Sequence, residues 1–161
     1  MDSFEDVYLA EQRRAYKLAC LLCRDAATAE DVVAAAFVSS WRRWGGGTVA
    51  DFGPYLRRAV VNEAIAGFRR RAREERRRSA QPERRGPTGP EELVVDRQTL
   101  REALLRLPVR QRTAIVLRYY EDLSEADIAR WMSTSVGTTK AHLSRGLVAL
   151  RAHLDRTRGD W

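Results

Sequence analysis

Between Ser79 and Pro90 the sequence reads SAQPERRGPTGP, with three prolines, two glycines and no side chain suited to a core. Proline removes a backbone donor and glycine leaves the backbone loose, so no regular element runs through such a stretch. It splits the 161-residue chain into two parts, each of which must close its own core. On both sides apolar residues recur at helical spacing, and alternating strand patterns are missing. The expected fold class is therefore all-α: two small helical domains, residues 1–78 and 91–155, joined by a flexible linker at 79–90.

In the first part Phe4, Val7, Tyr8, Tyr16, Ala19, Cys20 and Cys23 follow a helical period, as do Val33, Phe37, Ser40, Trp41 and Trp44 until Gly45–Gly47 end the run. A third helix is expected from an Asp51 N-cap, with Pro54 tolerated in its first turn and Tyr55, Leu56, Ala59, Val60 and Phe68 along it. In the second part Leu93, Leu100, Leu104 and Leu107 mark a helix stopped by Pro108. Val109–Tyr120 gives another, with Ile115, Val116 and Tyr119 apolar. Ser124 followed by Asp127 reads as a variant capping box that opens the next helix.

Charge is distributed unevenly. Residues 1–35 carry four basic and seven acidic side chains, whereas residues 57–85 carry eleven arginines against Glu63, Glu74, Glu75 and Glu83; the whole chain has a net charge of +7. One surface for a polyanion and another for a different partner are the expectation. No apolar run approaches the length of a membrane span, and the acidic start MDSFEDVYLAEQ is unlike a signal peptide, so the expected localisation is cytoplasmic. Cys20 and Cys23 form a lone CxxC within YKLACLLCRD, and the two histidines, His142 and His153, lie in the far half of the chain. Buried structural thiols within a helix are expected, with a redox or metal role as the alternative.

The stretch SEADIARWMSTSVGTTKAHLSRG, Ser124–Gly146, reads as two helices around a polar break at Met132–Ser135. A DNA-reading helix-turn-helix needs a small contact in its first helix, a tight turn and a second helix free to enter the major groove. Ala129 supplies the small contact, Ile128 and Met132 face the core, and Ser135 caps the second helix. Val136, Leu143 and Leu147 are expected beneath it. Thr138, Lys140, Ala141, Ser144 and Arg145 are expected outward, with hydroxyls, charges and a methyl suited to base edges and phosphates. The run GFRRRAREERRR, Gly67–Arg78, follows a helix bearing Phe52, Tyr55 and Phe68, and such interleaving suits single-stranded or melted nucleic acid. A solvated helix hairpin and a solvated helix end are the plainer readings of the same two stretches.

The segments AEDVVAAAFVSSWRRW (Ala29–Trp44) and LPVRQRTAIVLRYYEDLSEADIARWMSTSVGTTKAHLSRGLVALRAHL (Leu107–Leu154) together resemble the extracytoplasmic-function class of bacterial RNA polymerase sigma factors, in its actinobacterial SigE-like branch. The resemblance covers nearly the whole chain outside the linker. It implies a region-two domain that binds core RNA polymerase and the −10 element, and a region-four domain, a four-helix unit without a wing, that binds the −35 element. The partners it implies are core RNA polymerase, promoter DNA and, as in many members of the class, an anti-sigma factor.

By position, the resemblance places Asp31, Val32, Val33, Phe37 and Trp41 in the polymerase-binding helix. It places Asn62 with the loop containing Phe52 and Tyr55 at an extruded −10 base, and Arg69, Arg70 and Arg71 on the DNA backbone. Ser135, Thr138, Lys140, Ala141, His142, Ser144 and Arg145 fall in the −35-reading segment. No catalytic residue, metal or cofactor is implied. Three departures stand out: Ala34 and Ala35 replace a Gln-Glu pair, Ser133 and Thr134 replace Gly and an apolar residue in the turn, and Thr139 replaces an apolar β-branched residue. Reduced stability and weaker docking to polymerase are the expected consequences. A stand-alone helix-turn-helix regulator and an enzyme using Cys20 and Cys23 are the competing readings.

Overall fold

The computed structural model describes residues 3–45, 47, 49–77 and 95–159. The chain divides into two compact units, Met1–Thr88 and Gly89–Trp161. The segment expected as a linker, 79–90, lies outside the described residues. All described regular elements are α-helices.

The first unit packs three helices, α1 (Phe4–Leu22), α2 (Ala26–Trp44) and α3 (Val49–Arg77). Ser3 and Asp6 close a reciprocal capping box at the start of α1. Asp25 caps α2 by accepting the Thr28 N–H at 2.8 Å, and α2 ends at Gly45, whose φ of 68° favours a residue without a Cβ. Val7, Leu18, Phe37, Leu56, Val60 and Val61 are buried where the helices meet. Two boundaries differ from expectation. α3 begins two residues before Asp51, so Asp51 sits in its first turn and Pro54 lies inside the helix, near enough to the start that one intrahelical bond is lost rather than several. Cys23 is the C-cap of α1, not a mid-helix residue; it is buried, Cys20 is half-buried, and neither is in a disulfide.

The second unit contains α4 (Val95–Leu105), α5 (Val109–Tyr119), α6 (Glu125–Trp131) and α7 (Val136–Arg158). Its organising side chain is Arg112, 1% exposed. The Arg112 guanidinium donates to the carbonyls of Leu104, Leu105 and Leu107 at 3.0, 3.3 and 2.9 Å. A cation thereby satisfies acceptors that the end of α4 leaves open, where the helix dipole is negative. Gly146 brings α5 against α7: a Cβ there would lie 2.7 Å from Ile115 Cδ1 and 3.3 Å from Gln111 Cβ. Leu100 and Tyr119, expected in the core, are 43% and 65% exposed, because α4 and α5 are covered on one side only.

Candidate nucleic-acid interface

The α6-turn-α7 unit is built from its caps. Ser124 accepts the Asp127 N–H and donates to the Asp127 carboxylate. Ile128, Ala129 and Met132 are buried, as expected. Ser133 then turns the chain with φ 53°, a left-handed position that costs a non-glycine residue about 1 kcal/mol. The Thr134 N–H closes the turn on the Ala129 carbonyl at 2.9 Å. Ser135 caps α7 by accepting the Thr138 N–H at 3.0 Å. Thr139, fully buried, donates its hydroxyl back to the Ser135 carbonyl at 3.0 Å, so the polar atom exchanged for a methyl finds a partner inside the helix.

This geometry fixes the faces of α7. Thr139, Leu143, Gly146 and Leu150 face the core. Thr138, Lys140, Ser144 and Arg145 are exposed, while Ala141 and His142 are half-buried. Val136, expected beneath the helix, is 42% exposed, because it is the first helical residue and precedes the packed turn. Lys140 Nζ lies 3.8 Å from Glu125 Oε2, an exposed pair that tethers it loosely to α6. Burial holds the His142 imidazole below the usual histidine range, and the Arg110 and Arg145 guanidiniums lower it further.

In α3 the helical repeat sorts residues that are neighbours in sequence. Tyr55, Arg58, Asn62, Ala66, Arg69, Arg73 and Arg76 share one exposed stripe about 30 Å long, at about 1.5 Å of rise per residue. Phe52, Leu56, Val60 and Ala64 occupy the buried side. One expected −10 contact therefore moves, and a second has a neighbour within the unit. Phe52 is fully buried in an aromatic cluster with Phe37, Trp41 and Trp44, their ring centroids 6.0, 6.0 and 5.1 Å away, so it is a core residue on a helix and has no free face for a base. Arg71 continues the core-facing line of α3 and donates to Thr28 Oγ1 of α2 at 2.8 Å. Glu74 and Glu75 lie off this stripe by helical period. The expected residues Tyr55, Asn62, Arg69, Arg70 and Arg71 are exposed. Arg58, Arg73 and Arg76 join the stripe, and their spacing from Asn62 and Arg69 was the available signal.

The α2 helix shows a similar exchange. Val32, Val33 and Phe37, expected at polymerase, are buried against α1 and α3, since they carry the apolar period that holds the unit together. Trp41 is half-buried, its ring 4.8 Å from Phe4 and 5.5 Å from Trp44. The outward stripe instead holds Asp31, Ala34, Ala35 and Val38, the last 55% exposed. Among the described residues no group of three or more His, Cys, Asp or Glu side chains is placed to hold a metal ion. No described helix is long and apolar enough to cross a membrane.

Comparison with known proteins matches residues 7–74 to Sigma-70 region 2 and residues 97–150 to Sigma-70, region 4. Over 155 residues the chain is 31% identical to the RNA polymerase sigma-E factor of Streptomyces antibioticus, covering 94% of this chain and 84% of that protein. Over 170 residues it is 31% identical to the ECF RNA polymerase sigma factor SigM of Mycobacterium tuberculosis, covering 98% and 78%. In fold it is similar to the sigma factor RpoE of Bartonella quintana, solved in complex with the anti-sigma factor NepR, with a TM-score of 0.75, 24% identity and coverage of 94% and 96%.

Proposed function

The chain belongs to the extracytoplasmic-function class of RNA polymerase sigma factors, promoter-recognising transcription initiation factors, and from that premise we propose how its helix faces divide the work. The exposed α2 stripe of Asp31, Ala34, Ala35 and Val38 docks on core RNA polymerase. The α3 stripe takes the −10 element, with Tyr55 stacking on an unpaired base, Asn62 hydrogen-bonding it and the arginines neutralising phosphates. In α7, Thr138, Lys140, Ala141, Ser144 and Arg145 read the −35 element, and the Ser135 cap orients the helix in the groove. Residues 1–78 and 91–155 act as the two binding domains, with 79–90 as their tether. The protein performs no chemistry of its own and works in the cytoplasm, where an anti-sigma factor that covers the α2 stripe silences it.

The observation that supports this reading most is that Tyr55, Asn62, Arg69, Arg73 and Arg76 fall on one exposed stripe of α3. An aromatic ring, an amide and guanidiniums in one line match the stacking, base-bonding and phosphate contacts that an unpaired strand requires. The deciding experiment combines the purified protein with core RNA polymerase on a library of promoter sequences. Transcripts selecting a paired −35 and −10 sequence are expected. A protein that ignores core polymerase and binds palindromic duplex as a dimer would instead be a stand-alone regulator.

A further inference from the structure

One cationic side chain beside the recognition helix, Arg110, takes no part in the contacts proposed for the −35 element. Gly146 lets α5 approach α7 so closely that Gln111 Cβ falls within 3.3 Å of where its own Cβ would stand. That contact sets Arg110, the neighbour of Gln111, beside the turn of α7 holding His142 and Arg145. His142 and Arg145 are three residues apart and share a helix face. Arg110 and His142 are half-buried and Arg145 is exposed. Among the described residues none of the three is ion-paired to a carboxylate. The nearby acidic side chain of α6, Glu125, pairs with Lys140 on the opposite flank of α7. Arg106, at the end of α4, lies near His153 farther along the same flank as His142. Among the described residues, cations thus meet at His142 from two elements with no carboxylate ion-paired to them, an arrangement that favours an arriving anion.

We propose that Arg110, His142 and Arg145 form a subsite for one backbone phosphate of duplex DNA on the α5 flank of the recognition helix, and that the bound phosphate draws a proton from solvent onto His142. The subsite rests on the −35 reading and adds Arg110 and a proton to it. In the free protein burial and the two guanidiniums keep the imidazole neutral to lower pH than usual. A backbone phosphodiester between the three groups, with its single negative charge, opposes both influences, since it offers the imidazolium a partner and offsets part of the arginine charge. DNA affinity therefore rises as pH falls through the range where bound His142 is protonated and free His142 is not. The linked uptake is at most one proton.

The test uses the full chain and a short fluorescein-labelled duplex of random sequence, because a phosphate subsite does not depend on the bases. Anisotropy titrations from about pH 8 to about pH 5.5 are expected to show affinity rising about fivefold, within the tenfold that one unit of histidine pKa supplies. Arg110→Gln is expected to weaken binding about threefold or more and to reduce the slope of log affinity against log salt by about 0.9. His142→Gln flattens the pH response and His153→Gln leaves it intact. Thermal melting of each variant reports whether the unit is still folded, and an NMR titration of the His142 ring in the wild-type chain gives a second readout that needs no variant: it should move to higher pH when duplex is added. A pH response that survives His142→Gln, an unchanged salt slope in Arg110→Gln, or a ring titration unmoved by DNA overturns the subsite. No binding of the random duplex at any pH overturns the subsite, and failure to bind a duplex carrying the −35 sequence selected in transcription overturns the −35 reading itself.

Discussion

The two helices proposed to meet DNA, α3 and α7, solve the problem differently. In α3 the outward stripe is dense in charge: Arg58, Arg69, Arg73 and Arg76 accompany Tyr55 and Asn62. In α7 the outward positions are mostly small and polar, and the helix is held by a scaffold of caps, the Ser135 N-cap, the Thr139 back-bond and the Gly146 contact. A stripe of guanidiniums tolerates some disorder, since phosphate attraction falls off slowly with distance. Reading base edges needs the helix placed within hydrogen-bond reach, so rigidity matters more than charge. On the proposed assignment, α3 would contribute affinity through charge and α7 selectivity through position.

The comparison can be broken most forcefully through the packing that underlies α3. Phe52→Ala is expected to destabilise the first unit by about 3–5 kcal/mol, the usual cost of emptying a buried aromatic site, measured by urea denaturation. Phe52→Leu, which keeps most of the volume, should retain both fold and binding to a single-stranded oligonucleotide; loss of that binding in a folded Phe52→Leu protein would return Phe52 to the interface. Next in size is charge. Replacing Arg69 and Arg73 together with Glu should weaken single-stranded binding more than tenfold and flatten its salt dependence by about 1.4 or more, the share of two phosphates. Arg71→Ala, whose guanidinium is turned to Thr28, should lower the melting temperature and leave that salt slope in place.

The α7 side of the contrast is sharpened by a smaller change. Ser133→Gly relieves the left-handed turn and should stabilise the second unit by about 1 kcal/mol, read from its denaturation midpoint. Selectivity between −35 sequences should stay as it was, since Ser133 itself faces no base. Smallest is the effect of acid on stability. His142 and His153 both have imidazoles held below 6.5 by burial first and then by neighbouring arginines. The unfolded chain therefore binds protons more readily, and stability is complete above pH 6.5 and falls as the pH drops below it. The second unit should carry this loss, because the first contains no histidine. An equal acid shift in an isolated variant lacking both imidazoles would trace it to carboxylates instead.

Much of this was legible in the chain. The Ser124 and Ser135 caps, the left-handed strain at Ser133 and the need for Thr139 to bond back along its helix all follow from local chemistry, which involves residues within four positions of one another. The faces of α7 were likewise readable from period alone, Val136 excepted. The misplacements share a cause. Phe52 and Phe37 carry side chains that suit either a base or a core, and their role depends on the rings around them: Trp41 and Trp44 for Phe52, Phe4 and Tyr8 for Phe37. Arg71 sits in a run of three arginines, yet the helical turn separates it from its neighbours and only Thr28, far off in sequence, explains where it goes.

By itself the sequence determined that this protein is helical, that it divides at a proline- and glycine-rich break, and that a capped helix pair follows, because propensity, capping and periodicity act over a turn or two of chain. Tertiary structure decided which aromatic and cationic residues are spent on the core and which remain for DNA and polymerase. Apolar rings and guanidiniums are suited to both tasks, and the choice between them is made by partners from outside the residue's own helix: Glu11 for Arg57, the carbonyls of Leu104, Leu105 and Leu107 for Arg112, Ile115 for Gly146, and Arg110 for His142.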